Sequence, residues 1–437
     1  MRILLVATYE LGQQPGSLGS ATAHLREQGH EVRAVDVSVE PWDPALADWA
    51  DEVAFSVPMH TATRLARDLA GSLARTIDRP IRCFGLYAEQ CSHFAVPVAW
   101  AAALPARDLL PPLDRYAQLA IGDEQRLVGS VLASHGCAHR CRHCPVPVVY
   151  DGRVQRVDES AVLDDIAQLV AAGAQHITFG DPDFLNAPPH SRRIVRAMHE
   201  RFPHLTFDCT VKVEHVLRYG GLRHGGLRHA DVWPEFAAAG CVFVVSAFES
   251  VNDEILDRLD KGHTTVDAAR AVRVLRDAGI DVRPSWMPFT PWTTPDDVVD
   301  LLDFVHEHDL VGSVDPVQYT VRLLLPKGSL LLAHPDLAGS LGDWDDERSS
   351  FTWTATDPAV DELQLRLVSL VEEHTVAGTD DLETYALVRA AAGAPPVDLA
   401  SMTTGRPRLT ETWFCCAEPT ELQRAGVTLR SGVSTAE

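Results

Sequence analysis

Residues 127–147 read LVGSVLASHGCAHRCRHCPVP, an apolar run that breaks abruptly into three cysteines and three histidines. The uncharged segment 127–134 predicts a strand buried on both faces, because such strands read as short continuous apolar runs. Cys137, Cys141 and Cys144 come next, separated by three residues and then by two. Four thiolates close a tetrahedral zinc or complete an iron-sulfur cluster, whereas three leave one metal position without a protein ligand. An open position implies a bound substrate or cofactor. The other reading is a zinc site finished by His135, His139 or His143, and ligand spacing alone admits it.

Downstream, strand-like runs recur as HITFGD (176–181), LTFDCTVKV (205–213), CVFVVSAF (241–248), DVRPSWMPF (281–289) and VQYTVRLLL (317–325). Between them lie helical spacings such as Val162, Ile166, Leu169, Val170 and Ala268, Ala271, Val272, Leu275. Six such units predict a curved parallel sheet, a partial (β/α)6 barrel over 128–335, whose ligands collect at the C-terminal strand ends. The cysteine loop directly follows the first strand, where a site belongs.

Upstream, ILLVAT (3–8), EVRAVDV (31–37), EVAFSVP (52–58) and RPIRCFGLY (79–87) alternate with helical patterns. They predict a Rossmann-like parallel α/β domain over 1–105. Its turn glycines Gly12, Gly16 and Gly19 do not form the G-x-G-x-x-G of a dinucleotide site. The segment 106–127, with Pro111 and Pro112, reads as a linker. Beyond 335 an acidic run, DWDDER (343–348), precedes two predicted helices (358–376 and 380–392) and an extended tail, giving a mostly helical C-terminal extension over 336–437. The tandem GGLRHGGLRH (220–229) suits a surface loop.

Bulk properties narrow the function. Lys+Arg 38 against Asp+Glu 61 gives a net charge of -23, and so acidic a surface repels phosphate backbones and anionic lipids. The N-terminus MRILLVATYE lacks the pattern of a signal peptide, and no apolar run is long enough to span a bilayer. The expectation is a soluble cytoplasmic protein with no nucleic-acid or membrane partner. Nine cysteines, three of them bunched within eight residues, fit metal chemistry in a reducing compartment better than a disulfide framework.

The C-x-x-x-C-x-x-C after the first strand of a β/α series resembles the radical S-adenosylmethionine superfamily. In that family three cysteines hold a 4Fe-4S cluster whose fourth iron is chelated by the amino and carboxylate groups of S-adenosylmethionine. His143 stands where the family usually places an aromatic ring. FGDPDF (179–184) ends the second strand where the family has a glycine-rich turn; TVKVEHV (210–216) and AFESVNDEILDRLDKGHT (247–264) resemble strands three and four of its cobalamin-domain subgroup. The resemblance implies cofactor contacts from Gly180, Asp181, Ser246, Glu249 and Arg322, with Asp183, Lys212, Glu214 and Trp286 as further inward candidates. Each has an ordinary structural reading as well. Lys212 and Glu214, two apart on one predicted strand, suit a site or a mutual ion pair equally. Arg322, in an apolar strand, needs an anionic partner.

GSLGSATAHLREQGHEVRAVD (16–36) resembles the cobalamin-binding half of that subgroup, yet no Asp-x-His-x-x-Gly occurs to ligate cobalt from below. Either cobalamin binds without a lower ligand or the domain is a scaffold. WFCCAEP (413–419) resembles the radical S-adenosylmethionine group named for a CUAEP or CCAEP tail, with Cys416 at the selenocysteine position. That implies a catalytic or redox role for Cys415 and Cys416; packing of two small thiols is the alternative. The expected function is cleavage of S-adenosylmethionine by a 4Fe-4S enzyme acting on a small molecule or peptide, with an electron donor such as flavodoxin or ferredoxin and with cobalamin-dependent methyl transfer as one version. An iron-sulfur sensor and a zinc-stabilised binding protein are the alternatives without catalysis.

Overall fold

The computed structural model describes residues 1–411, apart from residues 93, 103, 222, 225, 226, 229 and 230, and gives 223, 224, 227 and 228 as backbone only. Cys415 and Cys416 lie outside the described residues. The N-terminal part runs β1 (Arg2–Ala7), α1 (Gly16–Glu27), β2 (Glu31–Asp36), α2 (Pro44–Trp49), β3 (Glu52–Ser56), α3 (His60–Leu73), β4 (Ile81–Phe84) and β5 (Val96–Pro97). Their order is β2-β1-β3-β4-β5, with every pairing parallel. Leu4, Leu5, Val53, Ala54 and Phe55 are fully buried, which is why the central strands β1 and β3 carry continuous apolar runs, whereas β2 alternates with exposed Glu31 and Arg33.

The half-barrel comes next with β6 (Gln118–Ile121), β7 (Glu124–Val131), β8 (Ser134–Gly136), α4 (Val146–Tyr150), β9 (Val154–Arg156), α5 (Glu159–Ala171), β10 (His176–Phe179) and α6 (Pro188–Arg201). Then come β11 (Thr206–Thr210), α7 (Val213–Arg218), β12 (Arg223–His224), β13 (Leu227–Arg228), α8 (Trp233–Ala238), β14 (Cys241–Glu249), α9 (Asp253–Arg258), α10 (Thr265–Asp277), β15 (Asp281–Trp286) and α11 (Pro295–Glu307). The C-terminal region adds β16 (Leu341–Asp345), β17 (Ser350–Trp353), α12 (Pro358–Ala377), α13 (Asp381–Ala391) and β18 (Arg408–Leu409). The main sheet runs β15-β14-β11-β10-β7-β6-β18, parallel from β15 to β7 and antiparallel at β6 and β18.

Three expectations change. The sixth predicted strand is a 3-10 turn over Pro316–Thr320 followed by extended chain that meets the sheet at one bridge, Phe289 with Arg322. Pro288 and Pro291 lack the N–H donors a longer ladder would need. The third strand stops at Thr210, and Lys212 is the N-cap of α7, so Lys212 and Glu214 are not alternate residues of a strand. The linker is a fitted strap: Leu113 and Tyr116 are buried, Ala117 N–H donates to Gly12 O at 2.7 Å, and Tyr116 Oη donates to Asp36 at 3.0 Å. A Cβ on Gly19 would come 3.1 Å from Ala106 O, so the missing side chain lets the strap lie against α1.

The C-terminal region shares the half-barrel's core. Leu337, Trp353, Val360, Leu367 and Tyr385 join one buried apolar cluster with Phe179, Phe207 and Trp286. Among the described residues no helix is long and apolar enough to cross a membrane.

Candidate active site

The cysteine loop leaves β7, makes the short pairing of β8 with β9, and turns at Gly136 (φ +80°), where a Cβ would lie 2.2 Å from Arg153 O. Only glycine fits there. Side chains from the next β/α units then hold the loop's backbone. Asp181 accepts from Ala133 N–H (2.9 Å) and Ser134 Oγ (2.5 Å); burial raises its pKa to about 6 against these donors. Asn186 Oδ1 accepts from Ala138 N–H (3.1 Å) and the Cys137 thiol (3.7 Å). Arg142 N–H donates to Leu259 O (2.9 Å), its guanidinium to Asp257 O and Arg258 O (3.0 and 2.9 Å), and its carbonyl accepts from Leu331 N–H and Ser329 Oγ.

Within this frame Cys137, Cys141 and Cys144 lie close enough for their charges to act on one another. Burial, reinforced by the neighbouring thiols, pushes Cys144 up to about 12. A metal would have to displace those protons. The donor set fits an iron-sulfur cluster with one open iron: three thiols on one loop, with no fourth cysteine in the motif. His139 Nδ1 is 3.2 Å from Lys212 Nζ and 3.7 Å from Glu214, and its Nε2 is 3.8 Å from Asp183. His143 Nε2 is 3.4 Å from Glu249. The other ring nitrogens, His139 Nε2 and His143 Nδ1, are buried and make no hydrogen bond among the described residues.

The remaining predicted residues separate into two groups. Around the loop stand Asp183, Lys212, Glu214 and Glu249. Asp183 accepts from His215 Nδ1 at 2.8 Å, Lys212 lies 3.7 Å from Glu214, and Glu249, with φ +64°, is bonded to Lys261 at 3.0 Å. Burial opposes ionisation of Glu249, but Lys261 and His143 outweigh it and hold its carboxyl below the usual range. His139, Asp183 and His215 bring ligand-type atoms within 4.8 Å of one another, and the Lys212 ammonium beside His139 already places a cation there.

The other group is structural in its contacts. Gly180 N–H donates to Val131 O, and a Cβ there would meet nothing closer than 3.4 Å. Ser246 Oγ donates to Val211 O at 2.7 Å inside the sheet. Trp286 is fully buried, edge-on to Phe248 and Phe304. Arg322 finds its anion within the chain: it bonds Asp361 (2.6 Å) and Trp353 O (2.7 Å) and stacks 3.5 Å over the Trp353 ring. Asn186, Arg142, His215 and Lys261 were not singled out from sequence. Lys261 sat in view in LDKGHT, but its burial beside the cysteines is a tertiary fact.

For cobalamin the residues do not fit a lower cobalt ligand. The loop from β1 to α1 has no histidine, and at the switch point between β1 and β3 Ser17 Oγ bonds both Glu10 (2.7 Å) and Ser56 Oγ (2.7 Å). Burial pushes Glu10 up to about 7.

Residues 131–305 match the model of the radical SAM superfamily. A tryptophan 2-C-methyltransferase from Streptomyces laurentii is 27% identical over 130 residues, which are 30% of this chain and only 21% of that protein's length. Among solved structures, the cobalamin-dependent S-adenosylmethionine radical enzyme OxsB with aqua-cobalamin bound superposes with a TM-score of 0.62 at 14% identity, over 86% of this chain and 67% of that one. The radical S-adenosylmethionine methyltransferase TsrM from Kitasatospora setae, with tryptophan and a SAM analogue bound, gives 0.59 at 16% identity, over 100% and 96%. At these identities the likeness establishes the fold: an N-terminal parallel domain, a half-barrel and a C-terminal helical region.

Proposed function

We propose that the chain is a radical SAM enzyme in which Cys137, Cys141 and Cys144 hold a 4Fe-4S cluster that, with S-adenosylmethionine, modifies a small molecule or peptide in the half-barrel mouth, a reading supported by the match of residues 131–305 to the superfamily model. The observation that carries this reading is the three-thiol loop at the C-terminal end of β7, ringed by charged side chains from the ends of β10, β11 and β14. When bound, such a cluster supplies one-electron cleavage of the sulfonium and a 5'-deoxyadenosyl radical. The chain's own residues do the positioning. Asp181 and Asn186 fix the loop backbone, and Lys212 and Glu214 offer opposite charges to a zwitterionic amino-acid end. Lys212 is 7% exposed, and at such burial charges act with little screening by water.

The tail dithiol belongs to the same proposal. β18 is antiparallel to β6 and β6 to β7, so the last described strand runs parallel to β7, towards the cysteine loop. Cobalamin-dependent methyl transfer is a second version, favoured by the extent over which the N-terminal domain shares its fold with OxsB and TsrM.

The test is an anaerobic assay of iron-reconstituted protein with S-adenosylmethionine and dithionite, or a flavodoxin or ferredoxin, scoring 5'-deoxyadenosine and S-adenosylhomocysteine. Deoxyadenosine that disappears in Cys144→Ala is the expected result, and S-adenosylhomocysteine together with a spectral change on adding cobalamin marks the methyl-transfer version. A cluster-bearing protein that forms neither product with any substrate offered returns the sensor reading. Unchanged turnover in Cys416→Ala returns the tail pair to packing.

A further inference from the structure

Lys261 is 2% exposed, and a buried ammonium loses its proton unless an anion holds it. Glu249 Oε1 at 3.0 Å is that anion. The backbone is bent to make the pair: Glu249 (φ +64°) and Asp260 (φ +55°) are non-glycine residues in the left-handed region, and Gly262 (φ +72°) comes directly after Lys261. Left-handed backbone at a non-glycine residue is unfavourable and persists only where its surroundings impose it. Here the surroundings are the cysteine loop. Arg142, directly after Cys141, is bonded to the carbonyls of Asp257, Arg258 and Leu259, so the segment leading into Lys261 is latched to the loop that carries the thiols. His143, between Cys141 and Cys144, contacts the same Glu249 oxygen, 3.4 Å away. The charge of Lys261 is felt by both Cys141 and Cys144.

Resting on the cluster reading above, we infer that Lys261 is a positioning charge that raises the reduction potential of the cluster, with Glu249 as its counter-charge. A cluster held by the three thiols would be reduced by one electron from an external low-potential donor of the flavodoxin or ferredoxin class, the electron then going to the sulfonium of S-adenosylmethionine. A fixed cation in a water-poor site stabilises the added electron, and the anion that holds the cation opposes it. Removing each partner therefore shifts the potential in opposite directions, which simple loosening of the fold does not do.

The experiment is a redox titration of reconstituted protein followed by electron paramagnetic resonance, with iron and sulfide measured per chain. Lys261→Met is expected to titrate at a more negative potential than the unaltered protein, Lys261→Arg close to it, and Glu249→Gln at a less negative one, all with equal iron. A fully loaded Lys261→Met with an unshifted midpoint overturns the inference. Should Lys261→Met alone fail to load, the double variant Lys261→Met/Glu249→Gln, which buries no lone charge, is compared with Glu249→Gln. A more negative midpoint in the double variant supports the inference, and equal midpoints overturn it. Failure of the unaltered protein to hold any cluster instead removes the reading on which the inference stands.

Discussion

Asp181 illustrates how a residue noticed for one reason serves another. Its carboxylate accepts from Ala133 N–H and Ser134 Oγ, four and three residues before Cys137, and burial raises it to about 6. From near pH 4 to about pH 6 the native chain keeps a proton that the unfolded chain has released, so stability falls as pH rises, by on the order of 3 kcal/mol for this group. Asp181→Asn is expected to flatten that slope and to lower stability by about 1–3 kcal/mol, because its amide N–H2 meets a donor. Denaturant midpoints of iron-free protein across pH 4 to 7 check this, and a difference between the two proteins that stays constant with pH refutes it. Sequence placed Asp181 beside the site but gave no hint that both its partners lie on the cysteine loop, some fifty residues earlier in the chain.

At the scale of elements, the cysteine loop is shaped by its neighbours more than by its own sequence. Helix α9 ends at Arg258 with carbonyls that need donors, and Arg142 supplies them from across the site. Arg142→Ala is expected to cost about 1–3 kcal/mol and to raise amide exchange in 253–261 and 329–332 before the rest of the half-barrel. Exchange that rises uniformly instead would mean Arg142 does no latching. Local signals were readable where they were self-contained: Thr264 with Asp267 and Thr294 with Asp297 form capping boxes that start α10 and α11. They failed at TVKVEHV, because Val211 and Val213 alternate as strand residues do while Val213, Val216 and Leu217 repeat at helical spacing, and the chain enters helix at Val213.

For the whole molecule, the question is how the N-terminal domain is held to the half-barrel. Arg107 of the strap pairs with Asp165 through two bonds (2.7 and 2.8 Å) and also reaches Ser130 O and Gln14, while Gln90 and the Lys327 backbone exchange two bonds at 3.1 Å. Arg107→Ala leaves Asp165 buried without its cation, a loss of about 3–5 kcal/mol. The expected readouts are a lowered Tm and proteolytic nicking within 104–117 ahead of cleavage elsewhere. A variant that unfolds in one step with no early nicking would show that the strap is not what joins the two parts.

The sequence by itself determined the class of fold and singled out the three thiols as candidate metal ligands. Apolar runs long enough for a strand favour burial, and three cysteines at that spacing after such a run mark a candidate metal site. Tertiary structure alone decided which charges surround that site. The Lys261–Glu249 pair, the Asp183–His215 pair and the engagement of Arg322 by Asp361 join residues 12, 32 and 39 positions apart. Their closeness follows from the curl of the sheet and the packing of the C-terminal helices, which no local pattern encodes.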